Sequence, residues 1–188
     1  MGYHGHMQKI AVIDVLGDEA LQARIMALSL VLMGTTAVAA VLVGLICGLG
    51  EVTWPWWWLG LAAGCLVPLP VHELVHAACF KLLCPGCRVS FGVQGAFLYT
   101  RTDGVVATRG RMVAVLVAPA LLVTGCVLAA SLVVGCPVLA VLLAGIHLSG
   151  CAGDLIMAAA SLREPRCTHV RDTETGIDLL FCPRDGSR

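Results

Sequence analysis

The sequence predicts an all-α integral membrane protein with about four transmembrane helices and a small β-hairpin-like cytoplasmic segment between helices 2 and 3. Hydrophobic residues make up 59% of the chain and charged residues only 13%, and the mean hydropathy is +0.90. A soluble domain carries about 25% charged residues. The sequence has no basic patch with interleaved aromatic residues. No nucleic-acid partner is therefore predicted, and the predicted partners are the lipid bilayer and a membrane-protein or peptide substrate.

Four apolar runs are long enough to form the predicted helices, because a helix needs about 20 residues to cross a bilayer. They cover residues 25–50, 54–83, 112–134 and 138–162. Four tryptophans at the start of the second run are typical of an anchor at the membrane surface. One membrane domain, residues 25–162, is therefore expected between an N-terminal segment, residues 1–24, and a polar tail, residues 163–188.

The basic residues orient these helices. All 12 Lys and Arg residues precede the first run, lie between the end of the second run (Lys81) and the start of the third, or follow the fourth. The two other connections, residues 51–53 and 135–137, contain none. Because loops rich in Lys and Arg stay in the cytoplasm, we expect a protein of the inner (cytoplasmic) membrane with both termini in the cytoplasm.

One motif in the second run indicates a chemistry. His72-Glu73-Leu74-Val75-His76 is an HExxH sequence, and on a helix its two histidines lie one turn apart on the same face. Both can then bind one Zn²⁺ ion, and Glu73 is placed to accept a proton from a water on the metal. Ionisable residues in an apolar run are costly, which favours a functional site over a hydrogen-bonded polar pair.

Asp154 is the predicted third zinc ligand. It lies nine residues before Arg163, as His72 lies nine residues before Lys81. At about 1.5 Å per helical residue, both lie roughly 13 Å inside the cytoplasmic boundary. An unpaired Asp at a helix centre costs about 2.5–3.5 kcal/mol on the insertion scale, so it needs a partner. Two imidazoles and one carboxylate would leave a position for water, as catalytic zinc sites do.

His147 is the reserve candidate for the metal. It precedes Asp154 by seven residues, which separates the two by about 10 Å along an unbroken helix. Both could approach one metal only if the helix breaks. Three glycines leave room for a break: Gly145, Gly150 and Gly153. A hydrogen bond from His147 to Thr124 or to a neighbouring backbone, and a role in substrate binding, stay open as alternatives.

Pro68 and Pro70 lie just before the motif. Each lacks a backbone N–H, so the second helix should kink or restart near Pro70. Residues 89–106 are the part of the chain predicted to be β-like, and Asp103-Gly104 is typical of a hairpin turn. Two interpretations stay open for this segment: an exposed edge that holds an extended peptide by main-chain hydrogen bonds, or a simple loop.

The tail and the cysteines give weaker signals. Residues 173–180 are expected to pack beneath the membrane domain, and the rest of the tail to be polar and partly disordered. Cys84 and Cys87 form a CxxC motif on the cytoplasmic side. A structural zinc shared with Cys167 and Cys182 is a minor alternative, because these two do not form a second CxxC pair.

Four segments, in order, resemble a known family. They are His72–Lys81 (HELVHAACFK), Gly110-Arg111-Met112 with Ala118-Pro119, Gly150–Met157 (GCAGDLIM) and Arg171–Gly176 (RDTETG). The chain resembles a bacterial family of zincin-type membrane peptidases of unknown function and, more distantly, the site-2 intramembrane proteases. The resemblance implies zinc ligands at His72 and His76, a general base at Glu73 and a late-helix acid at Asp154. Site-2 proteases usually have Asp-Gly in the late motif, whereas this chain has Gly153-Asp154.

The sequence therefore predicts a zinc-dependent intramembrane peptidase that hydrolyses a peptide bond of a membrane or juxtamembrane substrate by metal-activated water. Two alternatives stay open. A catalytically silent relative would bind zinc and hold a membrane partner without cleaving it. A small transporter would also need buried His, Glu and Asp residues, but such proteins usually show an internal repeat, which this sequence lacks.

Overall fold

Apolar helices and short strands make up the fold in the computed structural model, which describes residues 7–94 and 97–183. The helices are α1 (Glu19–Cys47), α2 (Pro55–Leu66), α3 (Pro68–Leu83), α4 (Arg109–Val133), α5 (Pro137–Gly150) and α6 (Ala152–Arg163). The strands are β1 (Gln8–Asp14), β2 (Val89–Gln94), β3 (Phe97–Thr102), β4 (Val106–Thr108), β5 (His169–Asp172) and β6 (Gly176–Phe181). A short 3-10 turn, Gly50–Thr53, joins α1 to α2.

Three helical stretches are long and apolar enough to cross a membrane. They are Glu19–Cys47, Pro55–Leu83 and Arg109–Val133. The pair α5 and α6 makes a fourth candidate, bent by 56° at the break between its two helices. By length and composition, the prediction of about four apolar helical spans is confirmed.

The second stretch restarts at a proline, as expected. Helix α3 begins at Pro68, two residues before the predicted position, because Pro68 and Pro70 remove two backbone donors from the helical ladder. The amide of Val67 still bonds to the carbonyl of Ala63 at 2.8 Å, so the chain keeps its course across the break. The HExxH motif therefore begins in the second turn of the helix that starts at Pro68.

The fourth stretch is divided at Cys151 rather than forming one straight helix. The amide of Cys151 lies 3.2 Å from the carbonyl oxygen of His147 and 3.1 Å from that of Leu148, which tightens the last turn of α5. The break directly follows Gly150, one of the three glycines expected to permit a break in this helix. Gly145 lies inside α5 instead. A Cβ there would collide with the side chain of Thr36, so Gly145 allows α1 to approach α5.

The N-terminal segment, the tail and the short strand β4 form a sheet. The prediction of an all-α domain did not include this sheet. The four strands are antiparallel in the order β1-β6-β5-β4. The expectation that residues 89–106 are the only β-like part of the chain is wrong, because β1, β5 and β6 lie outside them. The tail outside residues 173–180 was expected to be partly disordered, but residues 169–172 form strand β5. The expected packing of residues 173–180 is confirmed, because β6 buries Ile177, Leu179 and Leu180. The core beneath the sheet includes Met112, Val115, Val170, Ile177 and Leu179.

The predicted β-like segment forms a hairpin, but its turn is elsewhere. Strands β2 and β3 pair from Val89 opposite Thr102 to Gln94 opposite Phe97. The connection between them, residues 95–96, lies outside the described residues. Asp103-Gly104 instead directs the chain from β3 to β4, which pairs with β5. Gly104 has a φ of 65°, a left-handed conformation that glycine adopts readily, so the dipeptide bends the chain between the two sheets but does not close the hairpin.

Glu51 joins the turn after α1 to the first turn of α5. Its side chain is buried and accepts a hydrogen bond from the amide of Val138 at 2.7 Å and from that of Leu139 at 3.3 Å. The indole N–H of Trp57 donates to it at 2.9 Å. The first amides of a helix have no partner within the helix, and a carboxylate there also interacts favourably with the helix dipole.

Glu51→Ala is therefore expected to destabilise the protein. It would leave buried N–H donors without a partner, at a cost of about 1–3 kcal/mol each. Unfolding by denaturant in detergent micelles measures the loss. Glu51→Gln keeps one oxygen acceptor and should lose less, and Glu19→Ala, which alters an exposed carboxylate at the start of α1, serves as the control. A loss for Glu51→Ala no larger than that for Glu19→Ala would contradict this role.

Candidate metal centre and active site

The HExxH motif places two imidazoles on one face of α3. The rings of His72 and His76 lie one turn apart with their centroids separated by 4.7 Å, and their Nε2 atoms are 3.0 Å apart. His76 is buried and His72 is partly buried. The spacing of four residues along a helix produces this geometry by itself.

Asp154 approaches the same point from the first turn of α6. Its Oδ2 atom lies 3.1 Å from Nε2 of His72 and 3.5 Å from Nε2 of His76. The structure therefore brings together the three predicted ligands, with their candidate ligand atoms within 4.8 Å of one another. Bonds of about 2.0–2.1 Å in a tetrahedral site would separate ligand atoms by roughly 3.3 Å, so these side chains fit a Zn²⁺ ion.

The contact on the outer side of His76 also suits a metal. Its Nδ1 atom lies 3.0 Å from the backbone carbonyl oxygen of Val115 in α4. A carbonyl only accepts hydrogen bonds, so the ring proton lies on Nδ1 in the neutral tautomer and Nε2 presents a lone pair. That lone pair faces Nε2 of His72 and the carboxylate of Asp154. A cation between these atoms would satisfy all three.

The reserve candidate His147 contacts the trio from outside. Its Nε2 atom lies 3.3 Å from Nδ1 of His72, the nitrogen that faces away from Asp154. Its Nδ1 atom lies 2.8 Å from the hydroxyl of Thr124. The alternative of a hydrogen bond to Thr124 is therefore what the structure shows. The break at Cys151 lets His147 and Asp154 both reach His72, although they contact opposite nitrogens of its ring.

Cys151 is a neighbour that the sequence reasoning missed. Its sulfur lies 3.8 Å from Nδ1 of His72 and 3.8 Å from Nδ1 of His147, so these three residues form a second group of possible ligands. The spacing of four residues from His147 could have indicated this proximity. The Cys151 thiol also lies 3.2 Å from the carbonyl oxygen of His147, to which it can donate.

Glu73 is held by the hairpin. The hydroxyl of Thr100 on β3 lies 2.7 Å from Oε2 of Glu73 and 2.9 Å from its backbone carbonyl oxygen. Thr100 was also missed by the sequence reasoning. Which residue of β3 faces α3 depends on the hairpin register, and the expected turn at Asp103-Gly104 would have given a different register.

The end of β3 is fastened to the sheet by two residues of the tail. Asp172 accepts hydrogen bonds from the amide of Thr102 at 3.0 Å and from its hydroxyl. Arg101 forms an ion pair with Glu174. Burial raises the pKa of the Asp172 carboxyl, whereas the bonds from Thr102 oppose that shift. The RDTETG segment thus holds the hairpin that contacts Glu73.

A cavity of about 580 Å³ borders the three predicted ligands and Glu73. Cavities of about 300–1,000 Å³ are typical of binding sites for small molecules and short segments. Helix α1 closes one side with Gln22, Ile25, Met26 and Ser29, and β3 contributes Tyr99 and Thr100. The predicted base and ligands therefore border a space that a short length of peptide could enter.

In the described part of the chain, the CxxC cysteines join no group of possible metal ligands. Among the residues that the structure describes, the groups of three or more possible ligands are the two that share His72. Cys84 and Cys87 are not brought together with Cys167 and Cys182 into a third group, although all four are described. The minor alternative of a structural zinc at these cysteines is therefore not supported.

An HExxH helix with a carboxylate from a later helix, set among apolar helices, is an arrangement that suits a metallopeptidase of the zincin class. The sequence model of a family described as "putative zincin peptidase" matches residues 65–169, more than half of the chain, and the chain belongs to this family. The matched range includes the HExxH motif, His147 and Asp154. Comparisons with curated proteins and with solved structures gave no match.

Proposed function

We propose that this protein is a zinc-dependent intramembrane peptidase that hydrolyses a peptide bond of a membrane or juxtamembrane substrate. The observation that carries the proposal is the convergence of Nε2 of His72, Nε2 of His76 and Oδ2 of Asp154 beside one cavity. Membership in the zincin family supports a zinc-dependent peptidase. The long apolar helices support a site within the membrane.

The proposed chemistry divides between the metal and Glu73. Zinc would supply Lewis acidity, which lowers the pKa of a coordinated water toward about 7 and polarises a carbonyl group. Glu73 would accept the proton that the attacking water gives up, and would then donate it to the departing amine. The hydroxyl of Thr100, 2.7 Å from Oε2 of Glu73, orients the carboxylate for this transfer.

The hairpin is the surface we propose for aligning the substrate, which favours the first of the two interpretations of residues 89–106. In the part of the chain that the structure describes, β3 pairs with β2 alone, and Thr100 of β3 contacts Glu73. An extended peptide that added to the free edge of β3 would run past the base. Main-chain hydrogen bonds would hold such a peptide, so it must be unwound from a helix before cleavage.

The direct test is zinc content and cleavage by the purified full-length protein in detergent or lipid nanodiscs. We expect about one zinc per chain, as catalytic sites with three protein ligands hold, and cleavage of membrane-derived peptides. A chelator should abolish cleavage and added zinc should restore it. A protein that binds no zinc contradicts the proposal. Stoichiometric zinc without cleavage of any offered membrane peptide would favour a silent scaffold.

The proposed orientation makes a separate prediction. Reporters fused after Arg188 and inserted near Asp103 should read as cytoplasmic, and one at Val52 should read as outside, because all 12 basic residues lie on the first side. Green fluorescent protein, which fluoresces in the cytoplasm, and alkaline phosphatase, which is active outside it, give complementary readings. Activity of the phosphatase near Asp103 would contradict this topology, and with it the equal depth of His72 and Asp154.

A further inference from the structure

The two histidines of the HExxH motif differ in what orients them. The Nδ1 atom of His76 contacts the backbone carbonyl oxygen of Val115. Any residue at position 115 would provide this carbonyl group. The Nδ1 atom of His72 meets a side chain, His147, at 3.3 Å. The orientation of the His72 ring therefore depends on which side chain is present at position 147, on another helix.

The hydrogen-bond roles along this contact can be assigned. A neutral imidazole has one donor and one acceptor nitrogen. If Nε2 of His72 binds the metal, its proton lies on Nδ1, which donates to Nε2 of His147. His147 then carries its own proton on Nδ1 and donates to the hydroxyl oxygen of Thr124 at 2.8 Å. Each nitrogen in this chain has one role, and none is left without a partner.

Because His147 is buried, water cannot readily replace it as the hydrogen-bond acceptor for His72. Only 8% of the His147 surface is exposed, so bulk water has little access to the position of its ring. Metal-binding histidines generally donate their second ring N–H to a fixed acceptor, which sets the tautomer and the ring orientation. Here that acceptor is a second histidine, itself oriented by Thr124.

We propose that His147 is a positioning residue that, together with Thr124, holds the ring of His72 in the tautomer and orientation required for binding the metal. This inference rests on the proposed function, because it assumes a metal held by His72, His76 and Asp154. It assigns His147 a place outside the ligand set, in contrast to its candidacy as a ligand.

The second group of possible ligands provides the competing explanation. A metal held by His72, His147 and Cys151 would also require His147, but it would require the Cys151 thiolate as well. In the positioning role the thiol is dispensable, because it can donate to the carbonyl oxygen of His147 at 3.2 Å. Its sulfur lies 3.8 Å from Nδ1 of His72 and from Nδ1 of His147, but each of these atoms has a shorter contact, to His147 and to Thr124 respectively. Cys151→Ser therefore separates the two arrangements.

The test is zinc affinity of the full-length protein, measured by competition with a chelator of known affinity. His147→Leu removes the acceptor and should weaken zinc binding by about 10–100-fold, the cost typical of losing an outer-shell partner. His147→Gln places an amide oxygen near the former position of Nε2 and should restore most of the affinity. His147→Asn is too short to reach His72 and should behave like His147→Leu.

Thr124 and Cys151 supply matched variants. Thr124→Val keeps the shape of the side chain but loses the hydroxyl, so it should weaken zinc binding less than His147→Leu does, whereas Thr124→Ser should bind like the wild type. Cys151→Ser should also bind zinc like the wild type. Cobalt bound in place of zinc should show no thiolate-to-metal charge-transfer band.

The outcomes separate the two proposals. Wild-type zinc affinity in His147→Leu overturns the positioning role and leaves the proposed peptidase intact. Loss of zinc in Cys151→Ser, with a thiolate band in the wild type, also overturns it and moves the metal to the other group. A wild-type protein without zinc overturns both proposals. If His147→Leu does not fold, the difference between Thr124→Val and Thr124→Ser decides the question, and equal affinities would overturn the role.

Discussion

Glu73→Gln is expected to abolish most peptide cleavage while the zinc content stays at the wild-type level. Glutamine keeps the shape of the side chain and its reach toward Thr100, but it cannot accept a proton from water. The rate should fall by at least roughly 10²–10⁴-fold, the contribution of general acid–base catalysis. The three predicted metal ligands are untouched, so their affinity for zinc should persist.

The measurement pairs metal analysis with the cleavage rate on the same sample. Glu19→Gln, which changes an exposed carboxylate at the start of α1, is the control and should leave both quantities unchanged. Cleavage by Glu73→Gln at the wild-type rate would show that Glu73 is not the base. Loss of zinc in this variant would instead indicate that Glu73 helps to bind the metal.

Local spacing explains why the residues contributed by α3 could be predicted. The positions of His72, Glu73 and His76 on one helix follow from a five-residue motif, because helix geometry fixes their relative directions. The prediction of Asp154 rests on its depth in a predicted helix and on the cost of an unpaired carboxylate there. That inference needed no knowledge of which helices contact each other.

The surroundings of the site required tertiary information. In a straight helix His147 and Asp154 would lie about 10 Å apart along the axis, but the 56° bend at Cys151 changes their separation. Thr100 faces Glu73 only because of the hairpin register. The sheet joins β1 to β6 across nearly the whole chain, and strands this short gain their stability from such partners rather than from their own sequence.

Asp154→Ala is expected to remove zinc binding together with activity. The variant keeps both histidines but loses the carboxylate that converges on their Nε2 atoms at 3.1 and 3.5 Å. The loss of affinity should exceed the roughly 10–100-fold expected for an outer-shell residue, since a direct ligand is gone. Asp154→Asn keeps an oxygen in place without its charge, so it should bind zinc more strongly than Asp154→Ala and more weakly than the wild type.

Thermal unfolding with and without zinc distinguishes loss of a ligand from loss of the fold. A ligand that binds only the folded state stabilises it by about 2.7 kcal/mol at 100 times its dissociation constant. The wild type and Glu73→Gln should both gain stability with zinc, whereas Asp154→Ala should gain almost none. The exposed Asp103→Ala should respond like the wild type. Without metal, Asp154→Ala should lose little stability, because a partly buried carboxylate is itself costly in an apolar bundle. A full zinc response in Asp154→Ala would show that Asp154 is not a ligand, and the three-residue site would have to be abandoned.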